Sequence, residues 1–122
     1  QYDWHSENSY YPNADEVLTI WFPWLHAVSN ENGTMIIAKG SNKKTYTPTR
    51  IDHKESVTQM KVSEDELSEF EKIDCNLSLG DLVTFSSKAV HKSGINKTKE
   101  PRVAMVIRLS NLAGKLDSGW QA

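Results

Sequence analysis

The chain has 122 residues, a length typical of a single domain. Its 14 Lys and Arg against 16 Asp and Glu give a net charge of −2, which excludes a strongly basic surface for nucleic acid or anionic lipid. No apolar stretch approaches the ~20 residues that a membrane span needs. The single cysteine, Cys75, excludes an internal disulfide framework and is typical of a reducing compartment. We therefore expect a cytoplasmic protein with no nucleic-acid or membrane partner.

The first third of the chain predicts two strands. Residues 17–22 are rich in β-branched and aromatic side chains and are followed by Pro23, a pattern that favours a buried strand ending near the proline. Residues 24–28 could continue it. The Asn32-Gly33 pair is a strong turn signal, and the apolar residues 34–38 after it predict the next strand.

The middle of the chain, residues 43–77, is polar and irregular. Ser63 and Glu66 have the spacing of a capping box, which predicts one short helix at about residues 64–72. The remainder predicts a surface loop, and a loop of this length in a small domain is usually a lid or an insertion.

The last third predicts strands at residues 82–85, 89–91 and 103–109, separated by Gly and Asn turns. Short strands with at most one helix favour an all-β sandwich or barrel. We expect one domain over residues 1–122, with 43–77 as a variable lid, and the chain could be the C-terminal part of a longer protein.

Three side chains have the composition of a metal site. His5 and Glu7 are two residues apart, so in an extended strand they point to the same face. His91 ends a predicted strand just before a turn. Two histidines and one carboxylate suit non-haem Fe(II) with open coordination positions. By itself, however, a His-x-Glu triplet is common, and it could be an exposed polar N-terminus.

Arg102 precedes the last apolar run, so its guanidinium could point into a barrel. A buried arginine needs an anionic partner, and its planar fork suits a carboxylate held by two hydrogen bonds. The alternative is an ordinary arginine at a strand end, since Arg108 shows that arginine is tolerated later in the same strand.

Taken in order, these motifs resemble the phytanoyl-CoA dioxygenase-like family of Fe(II)/2-oxoglutarate oxygenases. The family pattern begins with His-x-Asp, Tyr-Tyr/Phe-Pro and a Trp in a strand, and continues with Asn-Gly and an apolar strand. It closes with Gly-Asp-x-x-x-Phe, His-x-Ser-Gly-x-Asn and Arg. The corresponding segments here are His5-Ser6-Glu7, Tyr10-Tyr11-Pro12, Trp21, Asn32-Gly33, Gly80-Asp81-Leu82-Val83-Thr84-Phe85, His91-Lys92-Ser93-Gly94-Ile95-Asn96 and Arg102.

The resemblance implies a role for each matched residue. His5, Glu7 and His91 would be the iron ligands, and Arg102 would bind the distal carboxylate of 2-oxoglutarate. Ser93, Trp21 and Tyr11 would help to hold this cosubstrate, and Tyr10 and Asn8 would lie near the metal. The implied fold is a double-stranded β-helix, the jelly-roll barrel also found in cupins.

The implied activity is a dioxygenase that hydroxylates a small molecule with release of succinate and CO2. The chain departs from the family in having Glu7 where Asp is usual, and in containing none of the helices and first strands that precede the His-x-Asp motif in longer family domains. Two alternatives stay open: a cupin-type metal enzyme that does not use 2-oxoglutarate, and a non-catalytic fragment or binding module. In the second, an incomplete barrel would expose a sheet edge and apolar surface.

Overall fold

Strands dominate the computed structural model, which describes residues 2–10, 17–52 and 58–110. The strands of this part of the chain are β1 (Val17–Pro23), β2 (Met35–Ala38), β3 (Thr49–Ile51), β4 (Gln59–Lys61), β5 (Lys72–Asp74), β6 (Val83–Ser86), β7 (His91–Ser93) and β8 (Ala104–Ser110). Short 3₁₀ helices cover Glu7–Ser9, Ser41–Lys43 and Asp65–Leu67. Within the described ranges, no helix has the length and apolar character needed to cross a membrane. The all-β prediction is confirmed.

Two three-stranded antiparallel sheets carry the fold. One has the strand order β6-β1-β8, the other has the order β5-β2-β7, and β3 and β4 form a separate two-stranded pair. An apolar core contains residues from both sheets, including Trp21 from β1, Met35 from β2 and Phe85 from β6. Cys75 is buried in the same core, where desolvation raises the pKa of its thiol to about 11, so it is an inert packing group.

Strand β1 alternates between a buried face and a more exposed one. Val17, Thr19 and Trp21 are buried, as the two-residue period of a strand requires. On the outer face Leu18 lies opposite Leu109 and is 42% exposed, while Leu109 is 52% exposed. The sheet therefore presents inward-facing side chains to the interior and an apolar outer face to its surroundings.

The middle segment is more ordered than its sequence indicates. The predicted helix at 64–72 was wrong in extent: only Asp65–Leu67 is helical, and Lys72 already begins β5, which pairs with β2. A three-residue turn suffices to bury Leu67 beside Trp4, and the sheet pairing then requires an extended chain. Residues 43–77 thus contribute a strand to a core sheet, while their role as a lid stays a prediction.

Two smaller expectations were also wrong. Residues 24–28 do not extend β1: Trp24 and His26 are exposed, since the chain bends there before a single bridge at Val28. Strand β7 begins at His91 instead of ending there, because residues 91–93 pair with β2.

Two glycines with positive φ offer a matched test of the turn that precedes β2. Gly33 has φ +85°, and a Cβ there would lie 2.8 Å from the Asn96 nitrogen and 2.9 Å from the Gly94 oxygen. Gly80 has φ +94°, but a Cβ there would meet nothing within 4 Å. We expect Gly80→Ala to cost only the left-handed backbone strain of about 1–2 kcal/mol, and Gly33→Ala to cost more because backbone must also move.

Urea unfolding of both variants measures this difference. Equal losses of unfolding free energy would show that the close approach of the Gly33 and Gly94 backbones does not constrain the turn.

Candidate metal centre

Two backbone hydrogen bonds join His5 to His91, the first residue of β7. The His5 amide donates to the His91 carbonyl at 3.0 Å, and the His91 amide donates to the His5 carbonyl at 2.9 Å. The two imidazole centroids lie 4.4 Å apart. Residues far apart in sequence are therefore held side by side by two hydrogen bonds that do not depend on their side chains.

Each imidazole is oriented by a second backbone contact. His5 Nδ1 lies 2.7 Å from the Asp3 carbonyl oxygen, and His91 Nδ1 lies 3.1 Å from that of Ala89. Because a carbonyl oxygen only accepts hydrogen bonds, each Nδ1 carries the proton. In the neutral imidazole, Nε2 is then left with a lone pair, which is the usual arrangement of a metal-binding histidine.

Burial also favours the neutral form of these imidazoles. Desolvation lowers the pKa of His5, and desolvation together with the neighbouring His5 lowers the pKa of His91. A metal binds the neutral imidazole, so neither ring must first lose a proton at neutral pH.

Glu7 completes the group from the first residue of a 3₁₀ helix. Its side chain is only 8% exposed, and its Oε1 lies 3.8 Å from His91 Nε2. Arg108 also reaches this carboxylate, with Nη2 to Oε1 at 2.6 Å and Nε to Oε2 at 3.1 Å. The structure thus brings together the three residues that the sequence singles out as metal ligands.

The geometry of the donor atoms fits a single ion. One ligand atom from each of His5, Glu7 and His91 lies within 4.8 Å of the others. Two atoms that share an ion at about 2.1 Å each are at most about 4 Å apart, so small side-chain rotations close the site. Two imidazole nitrogens and one carboxylate oxygen are a donor set suited to Fe(II) with open positions.

These side chains line a cavity of about 490 Å³. Trp21 and Ser93 line it too, as does Arg102, whose guanidinium carbon lies 5.8 Å from the Trp21 ring centroid. Arg102 is half-buried, desolvation lowers its pKa, and within the described ranges it forms no ion pair. The cavity therefore holds a guanidinium available to an anionic ligand.

The two tyrosines of the first motif differ in what the structure describes. Tyr10 lines the cavity, and its hydroxyl accepts a hydrogen bond from the Met60 amide at 2.9 Å. Desolvation raises the pKa of this phenol. Tyr11 lies outside the described residues.

Arg108 and Thr19 also line the cavity, although neither was assigned a site role from the sequence. Arg108 was interpreted as an arginine without a site role. It lies an even number of residues from Arg102, so it points to the same face, and it forms hydrogen bonds with Glu7. Thr19 lies directly opposite Arg108 in the β1–β8 register and is 1% exposed. Its hydroxyl has no hydrogen-bond partner among the described residues. The signal available in the sequence was alternation, since Arg102, Ala104, Val106 and Arg108 follow one another at two-residue intervals along the cavity.

Comparison with known families identifies the class of protein. The family model described as Phytanoyl-CoA dioxygenase (PhyH) matches residues 1–104, so the chain belongs to that family, as its motifs indicate. No curated protein matches the sequence.

Solved structures share the fold at low sequence identity. EvdO2 from Micromonospora carbonacea var. aurantiaca is 22% identical with a TM-score of 0.71, over 88% of this chain and 44% of that protein. The structure of EvdO2 complexed with 2-oxoglutarate is 21% identical with a TM-score of 0.70, over 91% of this chain and 47% of that protein. EctD from S. alaskensis, solved with 2-oxoglutarate and 5-hydroxyectoine, is 17% identical with a TM-score of 0.71, over 95% of this chain and 40% of that protein. The predicted double-stranded β-helix is confirmed, and the chain spans less than half the length of these proteins.

Two buried threonines, Thr19 on β1 and Thr34 just before β2, test how much a buried hydroxyl contributes to stability. Thr19 and Thr34 are each 1% exposed, but only the Thr34 hydroxyl donates a hydrogen bond, to the Cys75 carbonyl. We expect Thr34→Val to lower the unfolding free energy by about 1–3 kcal/mol. Thr19→Val removes an unpartnered hydroxyl, so it should leave stability unchanged or raise it by up to about 1 kcal/mol.

Chemical denaturation of the two variants in parallel checks the pair. A loss for Thr19→Val as large as that for Thr34→Val would mean that the Thr19 hydroxyl makes a stabilising contact.

Proposed function

We propose that this protein is an Fe(II)- and 2-oxoglutarate-dependent oxygenase that hydroxylates a small molecule and releases succinate and CO2. The observation that carries the proposal is the convergence of His5, Glu7 and His91 in a cavity that also receives Arg102. Membership of the PhyH family and the fold shared with a 2-oxoglutarate complex support it.

In this proposal His5, Glu7 and His91 are the protein ligands of the iron. These three residues would hold the ion, and this donor set would leave coordination positions open to other ligands. When bound, the iron and 2-oxoglutarate supply the oxidising chemistry. The protein contributes a fixed donor set, because the histidines are held by their backbones and by carbonyl contacts at Nδ1.

Arg102 is the proposed partner of the distal carboxylate of 2-oxoglutarate. A half-buried guanidinium without an ion pair among the described residues is costly unless an anion joins it. Its fork matches a carboxylate in two-point geometry. Trp21, against which the guanidinium lies, restricts its orientation, and Ser93 is placed in the same cavity. We propose that Trp21, Ser93 and Tyr11 also contact the cosubstrate.

The Glu7 carboxylate favours hydroxylation over transfer of a halide. A halide would need the metal position that this carboxylate takes, and Glu7 lies within reach of both histidines. Glutamate is one methylene longer than the aspartate usual in the family, and the 3₁₀ helix at Glu7–Ser9 places its carboxylate beside His91.

Anaerobic titration with Fe(II) and 2-oxoglutarate tests this function. The wild-type chain should develop the weak visible charge-transfer band of 2-oxoglutarate chelated to iron. His91→Ala should abolish the band. Arg102→Ala should keep it but raise the required 2-oxoglutarate concentration by about thirtyfold or more, since loss of one partner of a buried charge pair costs about 2–5 kcal/mol.

Matched controls come from exposed residues of the same types. His26 and Arg50 are exposed and do not line the cavity. The His26→Ala and Arg50→Ala proteins should therefore give the wild-type charge-transfer band at the wild-type concentrations of Fe(II) and 2-oxoglutarate. Iron binding without the band would favour a cupin-type metal enzyme that does not use 2-oxoglutarate. Absence of iron binding would favour a non-catalytic fragment or binding module.

A further inference from the structure

Arg108 and Glu7 form a two-point contact inside the cavity. Both carboxylate oxygens accept hydrogen bonds from one edge of the guanidinium, Oε1 from Nη2 at 2.6 Å and Oε2 from Nε at 3.1 Å. Two parallel N–H to oxygen bonds fix direction as well as distance, because the fork of arginine and the carboxylate are both planar.

Because the Glu7 carboxylate is buried, the contact with Arg108 compensates for its loss of hydration. The Glu7 side chain is 8% exposed, whereas the Arg108 side chain is 39% exposed. A carboxylate removed from water requires hydrogen bonds or a cation in compensation. Both hydrogen bonds that reach the Glu7 carboxylate within the described residues come from Arg108.

Arg108 and Arg102 serve different ends of the cavity. Both line it, but six residues of extended chain separate them, which corresponds to about 20 Å along a strand. Arg102 lies against Trp21, while Arg108 lies at the carboxylate of the metal-site group. One guanidinium therefore cannot substitute for the other.

The length of glutamate explains why such a contact matters. A glutamate carboxylate can rotate about one more bond than an aspartate carboxylate, so its position is less restricted by the backbone. The two-point contact removes this freedom while Oε1 stays 3.8 Å from His91 Nε2.

We propose that Arg108 is the positioning residue of Glu7: it holds the carboxylate through both oxygens, so that the remaining lone pair of Oε1 is presented to a metal beside the two imidazoles. This inference rests on the proposed function, because it takes Glu7 as a metal ligand.

Two effects of removing Arg108 act in opposite directions. Loss of a nearby positive charge would strengthen the binding of a divalent cation, since like charges repel. Loss of orientation would weaken it, and contacts that orient a metal ligand are typically worth 10–100-fold in affinity. The sign of the change therefore decides between a positioning role and simple charge compensation.

The test measures Mn(II) affinity by the electron paramagnetic resonance signal of the free ion, for the wild type, Arg108→Ala and Arg108→Lys. Lysine keeps the charge but not the planar fork. We expect Arg108→Ala to bind Mn(II) about 10–100-fold more weakly than the wild type, and Arg108→Lys to be weakened as well. Arg50→Ala, an exposed arginine that pairs with Asp52, should bind as the wild type does.

A double-mutant cycle separates positioning from a general effect on the fold. If Arg108 acts through Glu7, removing it from a Glu7→Ala protein should not weaken the residual Mn(II) affinity, and loss of the positive charge should raise that affinity or leave it unchanged. Circular dichroism melting checks that each variant is folded, and Arg108→Lys replaces Arg108→Ala in the cycle if the alanine variant does not fold.

Three results would overturn the inference: tighter or unchanged Mn(II) binding by Arg108→Ala, wild-type affinity in Arg108→Lys, or an equal loss in the Glu7→Ala background. Failure of the proposed function is distinguishable, because the wild-type protein itself would then bind no Mn(II), or would bind it equally well after His91→Ala.

Discussion

The pair of backbone hydrogen bonds between His5 and His91 is the constraint on which the site depends. It joins the start of the chain to β7 at distances of 3.0 and 2.9 Å. Trp4, the residue just before His5, is 1% exposed and packs in a second core cluster, and its carbonyl accepts a hydrogen bond from Val62 at 2.8 Å. The segment that carries His5 and Glu7 is thus held by hydrogen bonds to His91 on one side and to Val62 on the other. The two imidazoles therefore lie side by side without any attraction between their side chains.

Around this bridge, one charged pair is compensated and one arginine is not. The imidazoles are neutral because desolvation lowers the pKa of both. The Glu7 carboxylate is matched by Arg108. Arg102, at the other end of the cavity, has no ion pair among the described residues. In a buried cavity such an imbalance favours binding of an anion, which is why the proposed cosubstrate, a dicarboxylate, suits this site.

Local patterns predict much of this architecture, and contacts distant in sequence account for what they miss. Alternation and turn residues gave strands near β1, β2, β6 and β8, and the order of the motifs gave the family. The helix expected at 64–72 is shortened to the 3₁₀ turn Asp65–Leu67, because the chain from Lys72 onward forms β5 and pairs with β2. Strand β7 starts two residues later than predicted because its residues His91–Ser93 are the ones that pair with β2, and His91 also bridges to His5. The role of Arg108 was missed for the same reason: the two-residue period of a strand places it on the same face as Arg102, but only the folded chain shows that it contacts the Glu7 carboxylate.

We propose that His5, Glu7 and His91 together bind one metal ion. X-ray absorption spectroscopy of the Fe(II)-loaded chain tests it most directly, since it reports the atoms bound to iron independently of any substrate. The account predicts a single iron environment with scattering from two imidazole rings and the remaining ligands oxygen. Iron surrounded by oxygen without imidazole scattering, or an unchanged spectrum after His5→Ala, would contradict the account.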